Sequence, residues 1–158
     1  MGALTVKSNG IVAALVAAVW FSIPFGAAAD PADLDRLFER LGSEDARDWQ
    51  QVEAEILREW SRSGSASMDL LLQRGRSAME RGDLTAAIEH FTALTDHAPD
   101  FAEGWNARAT AYFHAGHFGP SISDIRRTLA LEPRHFGALA GLGLILESIG
   151  QDDRALEA

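Results

Sequence analysis

The sequence predicts an all-helical protein built as a stack of antiparallel helix pairs, and three observations carry that prediction. The stretch from Met68 to His135 is one 34-residue pattern written twice, with part of a third copy after it. Within each copy, apolar residues recur at helical spacing on either side of a glycine-containing turn. A proline, Pro99 and then Pro133, closes each full copy. Self-similarity at a fixed period of roughly 20–50 residues marks a stacked-repeat architecture.

The chain opens with a different kind of segment. Lys7, the only lysine, precedes an apolar run from Ile11 to Phe25, interrupted by Ser22 and Pro24. Gly26-Ala27-Ala28-Ala29 then gives way to Asp30-Pro31. A basic start, an apolar centre and small residues at an A-x-A site are the parts of a secretory signal peptide over residues 1–29. Cleavage between Ala29 and Asp30 would remove one cation and no anion, taking the formal charge from −9 to −10. The expectation is export, to a periplasm of bacterial type, with no membrane attachment after cleavage. The alternative is an uncleaved anchor, because Ile11 to Ala29 is long enough to span a bilayer core of about 30 Å.

Residues 30–67 read as a helical hairpin that stands outside the repeats. Leu34, Leu37, Phe38 and Leu41 share one helical face, and Gly42 ends that helix. Ser43 is placed to cap a second helix, with Glu44 and Asp45 against its N-terminal dipole. Trp49, Val52, Ile56, Leu57 and Trp60 form its apolar stripe. Trp49 and Trp60 lie on one face and are expected to pack on the first repeat as an N-terminal cap. The link Ser61-Arg62-Ser63-Gly64-Ser65 is flexible in composition but too short to free the hairpin.

The repeats follow over residues 68–101 and 102–135, with a partial third over 136–158. Sliding the sequence by 34 lays Gly75 on Ala109 and Gly143, and Gly82 on Gly116 and Gly150. Leu71 falls on Trp105 and Leu139, and Ala78 on Tyr112 and Leu146. In the first period Asp69–Glu80 and Ala86–Leu94 are the helices, turned by Arg81-Gly82-Asp83. In the second they are Trp105–Ala115 and Ile122–Leu131, turned at Gly116-His117. Pro99 and Pro133 cannot continue a helix and force a new start, whereas Pro120 sits near a helix start, where proline is tolerated. The third period stops at Ala158 inside its second helix. Repeat arrays normally end in a solvating cap and so short a helix is marginal, so the chain is expected to be a fragment or a truncated reading frame.

With these residues in place, the chain resembles the tetratricopeptide repeat family. Trp105, Ala109, Tyr112, Ser121, Ile125 and Pro133 fall on that family's signature positions in the second period. Leu71, Gly75, Ala78, Ala87, Phe91 and Pro99 do so in the first, and the resemblance covers Met68 to Ala158. It implies a right-handed superhelical α-solenoid whose first helices line a concave groove for a peptide or partner helix. The groove residues it implies are Asp69, Leu72, Arg76 and Met79 from the first pair. The second pair contributes Glu103, Asn106, Thr110, Phe113 and His114, and the third contributes Ala140, Leu144 and Glu147. Arg76 and Asn106 would bond a peptide backbone or carboxylate, while Met79, Phe113 and Leu144 would take apolar side chains. Arg76 and Asn106 alone do not rebuild the carboxylate clamp of the family's chaperone-tail binders, and Gly137 and Gly141 offer nothing toward it.

Composition narrows the function further. A formal charge of −9 with no large basic patch argues against nucleic acid as a partner. The absence of cysteine excludes disulfides, thiolate metal sites and a cysteine nucleophile. His114 and His117 are three apart, but His117 lies past Gly116 in the turn and no third metal ligand accompanies them. His90, His97 and His135 read as local hydrogen-bonding residues, and Asp152-Asp153 as helix-start acids. There is no phosphate cradle and no nucleophile motif. The expected function is therefore an exported interaction module with no catalysis, no cofactor and no metal, holding a peptide or protein partner of unread identity. The alternatives are a structural element of a larger envelope complex, including self-association, and a membrane-anchored scaffold.

Overall fold

The structure, a computed structural model, describes residues 30–43 and 48–150. The expected signal segment with Ala29, and the helix starts expected at Glu44-Asp45 and Asp152-Asp153, lie outside the described residues. Among the described residues the chain forms seven helices: α1 (Pro31–Leu41), α2 (Trp49–Trp60), α3 (Ala66–Glu80), α4 (Leu84–His97), α5 (Ala102–His114), α6 (Phe118–Leu131) and α7 (Phe136–Ser148).

The helix ends follow from local chemistry. Asp30 caps α1, its carboxylate accepting from the Ala32 N–H at 2.9 Å, with Pro31 at the first helical position. Asp83 caps α4 in the same way through the Ala86 N–H. The Gly82 N–H donates to the Met79 carbonyl and the Asp83 N–H to the Ala78 carbonyl, which is a Schellman ending for α3. Gly116 and His117 repeat it on Phe113 and Tyr112. Gly82 and Gly116 both sit at φ +75°, a conformation that costs a side chain strain and a glycine none. Ser43 does not cap α2 as expected. Its hydroxyl donates to the Arg40 carbonyl, closing α1, and Asp48 takes the N-cap place of α2.

Each helix of α3–α7 packs on its chain neighbour, and α3, α5 and α7 also touch one another in turn. These odd helices form the inner layer, with α4 and α6 outside it. One core joins Leu72, Ala78, Phe91 and Leu94 of the first pair to Ala107 and Ala111 of α5. A second joins Ala109 and Ile125 to Ala138 and Ile145. Gly75 is needed at the first of these contacts, because a Cβ there would overlap the Phe91 ring.

The hairpin is the element whose position departs from expectation. Leu34, Leu37, Val52, Ile56 and Trp60 form its own core, and the residue of the array that joins them is Phe136 at the start of α7. Trp60 stacks on His135, with ring centroids 4.1 Å apart and planes 10° from parallel, and meets Phe136 at 4.9 Å. Arg134 reaches back to Asp35 at 2.8 Å and lies over the Phe38 ring. The hairpin thus reaches the entrance of the third repeat instead of capping the first. Trp49 and Leu57, read as part of the buried stripe, are 50% and 44% exposed. No described residue packs on their face of α2, since the hairpin meets the array at one end.

Candidate partner-binding groove

The inner layer carries two adjoining clefts of about 290 Å³ each. One lies between α3 and α5 and is lined by Arg76, Met79, Glu80, Glu103, Asn106 and Thr110, among others. The second lies between α5 and α7, lined mainly by Asn106, Thr110, Phe113, His114, Gly137, Ala140, Gly141 and Leu144. Asn106 and Thr110 border both, so the floor is continuous. The α5–α7 cleft is the more apolar, and Leu144 stands 54% exposed at its edge. Gly137 and Gly141 keep α7 thin here, leaving room that side chains would otherwise fill.

At the edge of the α3–α5 cleft sits a polar centre built around Glu103. Its Oε1 accepts from Arg76 Nη2 at 2.5 Å, and its Oε2 accepts from Asn106 Nδ2 at 3.1 Å. His135 Nε2 lies 3.1 Å from the same Oε2. The other imidazole nitrogen, Nδ1, accepts from the Ala138 N–H and so caps α7, which places the ring proton on Nε2 as a donor to Glu103. Burial pushes the Glu103 carboxyl up, but the His135 hydrogen bond and the Arg76 charge outweigh it and hold the group below its ordinary 4.5. Trp60 closes this centre from the hairpin side by stacking on His135, and Ser61 Oγ accepts from Arg76 at 3.1–3.2 Å. Among the described residues the buried Trp60 indole N–H has no partner, which costs about 1–3 kcal/mol.

The structure divides the expected groove residues. Met79, Asn106, Thr110, Phe113, His114, Ala140 and Leu144 line the clefts. Leu72 does not: it is 2% exposed, inside the first core, because α4 covers that side of α3. Asp69 is taken up by the Ser61–Ser65 link, its Oδ1 accepting from the Ser63 N–H and hydroxyl. Arg76 and Glu103 border the groove but are bound to each other, so the carboxylate expected from a partner is supplied by α5. His114 and His117 part company, as their places on either side of the turn imply. His114 is exposed at the end of α5, and His117 is the N-cap residue of α6. Among the described residues no group of three His, Cys, Asp or Glu side chains is placed to hold a metal ion. No described helix is long and apolar enough to cross a membrane.

Two pairings went unread in the sequence. His135 is 1% exposed and belongs to the polar centre. A signal for that exists: sliding by 34 lays His135 on Phe101, a partly buried aromatic of the first core. The other is Arg108 with Asp124, joined by two hydrogen bonds of 2.7 and 2.9 Å between α5 and α6. Arg108 also lies over the Trp105 ring, and Thr92 Oγ1 accepts from its Nη1 at 3.4 Å.

Comparison with known proteins accords with this geometry. The tetratricopeptide repeat profile matches residues 72–119 and 107–158. A TPR repeat-containing protein of Rhizobium etli is 42% identical over 126 residues, covering 79% of this chain and 62% of the relative. The chain thus spans under two thirds of that relative's length. A Drosophila melanogaster protein described as a homolog of the BBSome complex member BBS4 is 31% identical over 75 residues, 48% of this chain and 15% of the relative. The matched profile spans more than half of the sequence and coincides with helices α3–α7, and the chain belongs to the tetratricopeptide repeat family.

Proposed function

We propose that this chain holds an apolar segment of a partner protein in the α5–α7 cleft of its inner layer. Tetratricopeptide repeats are protein–protein interaction modules and are generally not catalytic, which sets the class of the function. The observation that carries the finer reading is the open apolar cleft beneath Phe113 and Leu144, on the helices that line the family's groove. The partner's carboxylate has no role in this reading, because Glu103 already occupies Arg76 and Asn106. Specificity then comes from shape and apolar contact, with Thr110 and Asn106 offering hydrogen bonds at the floor.

Export is part of the proposal. It rests on the basic start, apolar centre and small-residue cleavage site of residues 1–29. Mass spectrometry of the N-terminus from native cells checks it: a chain beginning at Asp30 supports export, and an intact Met1 end in the cytoplasm rejects it.

Leu144→Asp and Phe113→Ala test the cleft. Leu144 is largely exposed, so its substitution leaves the fold intact while placing a charge where the partner's apolar side chain would sit. The expected outcome is loss of partner capture from native cells at unchanged helical content. Equal capture by wild type and Leu144→Asp would remove the cleft from the binding surface.

A further inference from the structure

The 34-residue period also identifies a face that the array leaves bare. In the second repeat, Gly104, Ala107, Arg108, Ala111 and Asp124 form the surface on which the first repeat stacks. Gly104 meets Leu94, Ala107 and Ala111 join the Phe91–Leu94 core, and Arg108 meets Thr92. Moving back 34 residues gives the same surface on the first repeat: Leu70, Gln73, Arg74, Ser77 and His90. No described helix covers it, because the hairpin docks at the start of α7 instead. These residues and Arg81 line an open cleft of about 510 Å³ between α3 and α4, with Leu70 44% exposed.

The chemistry of this face differs from the rest of the molecule. In the second repeat Asp124 neutralises Arg108 across the helix pair. In the first repeat Arg74 stands in the place of Arg108, but His90 stands in the place of Asp124. Among the described residues Arg74 and Arg81 make no ion pair, and no described carboxylate lines the cleft. A stacking surface with an exposed leucine and two guanidinium groups unpaired among the described residues is thus presented by a chain of formal charge −9.

We propose that the α3–α4 end face, at Leu70, Arg74, Arg81 and His90, docks an acidic amphipathic helix of a partner protein, whose carboxylates do for Arg74 what Asp124 does for Arg108. The helix would cover Leu70 and Ser77 as α4 covers Gly104 and Ala111. Planar guanidinium groups bind carboxylates through paired hydrogen bonds, which favours Asp or Glu over a diffuse anion. This surface is separate from the inner-layer clefts and does not depend on the reading given to them.

The test uses the full chain and a probe peptide, a 16-residue amphipathic helix with leucines on one face and glutamates flanking them. A companion peptide carries lysine in place of glutamate. Amide shifts in two-dimensional NMR report where each binds. The expected result is movement of signals around Leu70, Ser77 and His90 with the glutamate peptide and none there with the lysine peptide. Arg74→Glu with Arg81→Glu should weaken the binding at least tenfold, and Phe113→Ala should leave it unchanged. Both arginines are exposed, so folding survives the reversal, and helical circular dichroism verifies it. The proposal is overturned if shifts fall only at Phe113 and Leu144, if charge reversal leaves the affinity unaltered, or if the glutamate peptide does not bind. Tighter binding of a single-stranded oligonucleotide at this face would likewise overturn it.

Discussion

Gly75 and Gly141 both lie inside inner-layer helices, yet their surroundings give opposite expectations for the same substitution. A Cβ at Gly75 would overlap the Phe91 ring, which is 1% exposed and has nowhere to retreat. Gly75→Ala should therefore destabilise the protein by about 1–3 kcal/mol through overpacking. A Cβ at Gly141 would meet Ile125 Cδ1 at an ordinary 3.7 Å. Gly141→Ala should be neutral or stabilise by up to about 1 kcal/mol, since alanine holds a helix better than glycine. Thermal unfolding of the two variants side by side checks the contrast, and an equal drop in both would refute it. At the same scale, the buried hydroxyl of Ser121 is accommodated because it donates to the Ala109 carbonyl at 2.8 Å. A position that the family fills with a small residue thus tolerates a polar one when its donor finds an acceptor across the pair.

Among the elements, the hairpin is the one held most locally. Neither α1 nor α2 packs lengthwise on a repeat helix, and the pair has its own small core. A two-helix unit of this size buries too little to stand alone, so its order depends on Trp60 against His135 and Phe136. Trp60→Ala should remove hydrogen-exchange protection from α1 and α2 while α3–α6 keep theirs. Uniform loss of protection across the chain would instead make the hairpin an integral part of the array. Trp60→Phe keeps an aromatic ring on His135 and deletes the unpartnered indole N–H. Its cost should therefore fall well below the roughly 3–5 kcal/mol of a buried Trp→Ala change.

For the molecule as a whole, the Glu103 centre ties together elements distant in sequence. Arg76 from α3, Glu103 and Asn106 from α5, and His135 ahead of α7 converge on one carboxylate, with Trp60 closing it from α2. Because the Glu103 pKa is lowered on folding, its contribution is fully present above the ordinary 4.5 and is lost as pH falls through the depressed value. Glu103→Gln should cost about 1–3 kcal/mol at neutral pH, chiefly by leaving the partners of the carboxylate unsatisfied. The gap between variant and wild type should close as the solution is acidified below pH 4.5. Urea unfolding of both proteins at pH 7 and at successively lower pH measures it; a gap independent of pH would mean the carboxylate charge contributes nothing.

Taken alone, the sequence determined the repeat period, the all-helical class, the turn glycines and the closing prolines. These are local matters: a helix face, a positive φ at Gly82 and a missing N–H at Pro99 depend on residues a few places apart. The family resemblance also implied Phe113 and Leu144 as groove residues, and both line the α5–α7 cleft. Only the tertiary structure decided where the hairpin goes and which polar groups satisfy one another. Trp60 finds Phe136, and Asp35 finds Arg134, across 99 residues in the latter case. Those meetings depend on how far two stacked repeats carry the start of α7 back toward the hairpin, a small per-repeat displacement that no single period encodes. The same displacement leaves the end face at Leu70 and Arg74 uncovered by the described helices, although the sequence alone assigned it a cap.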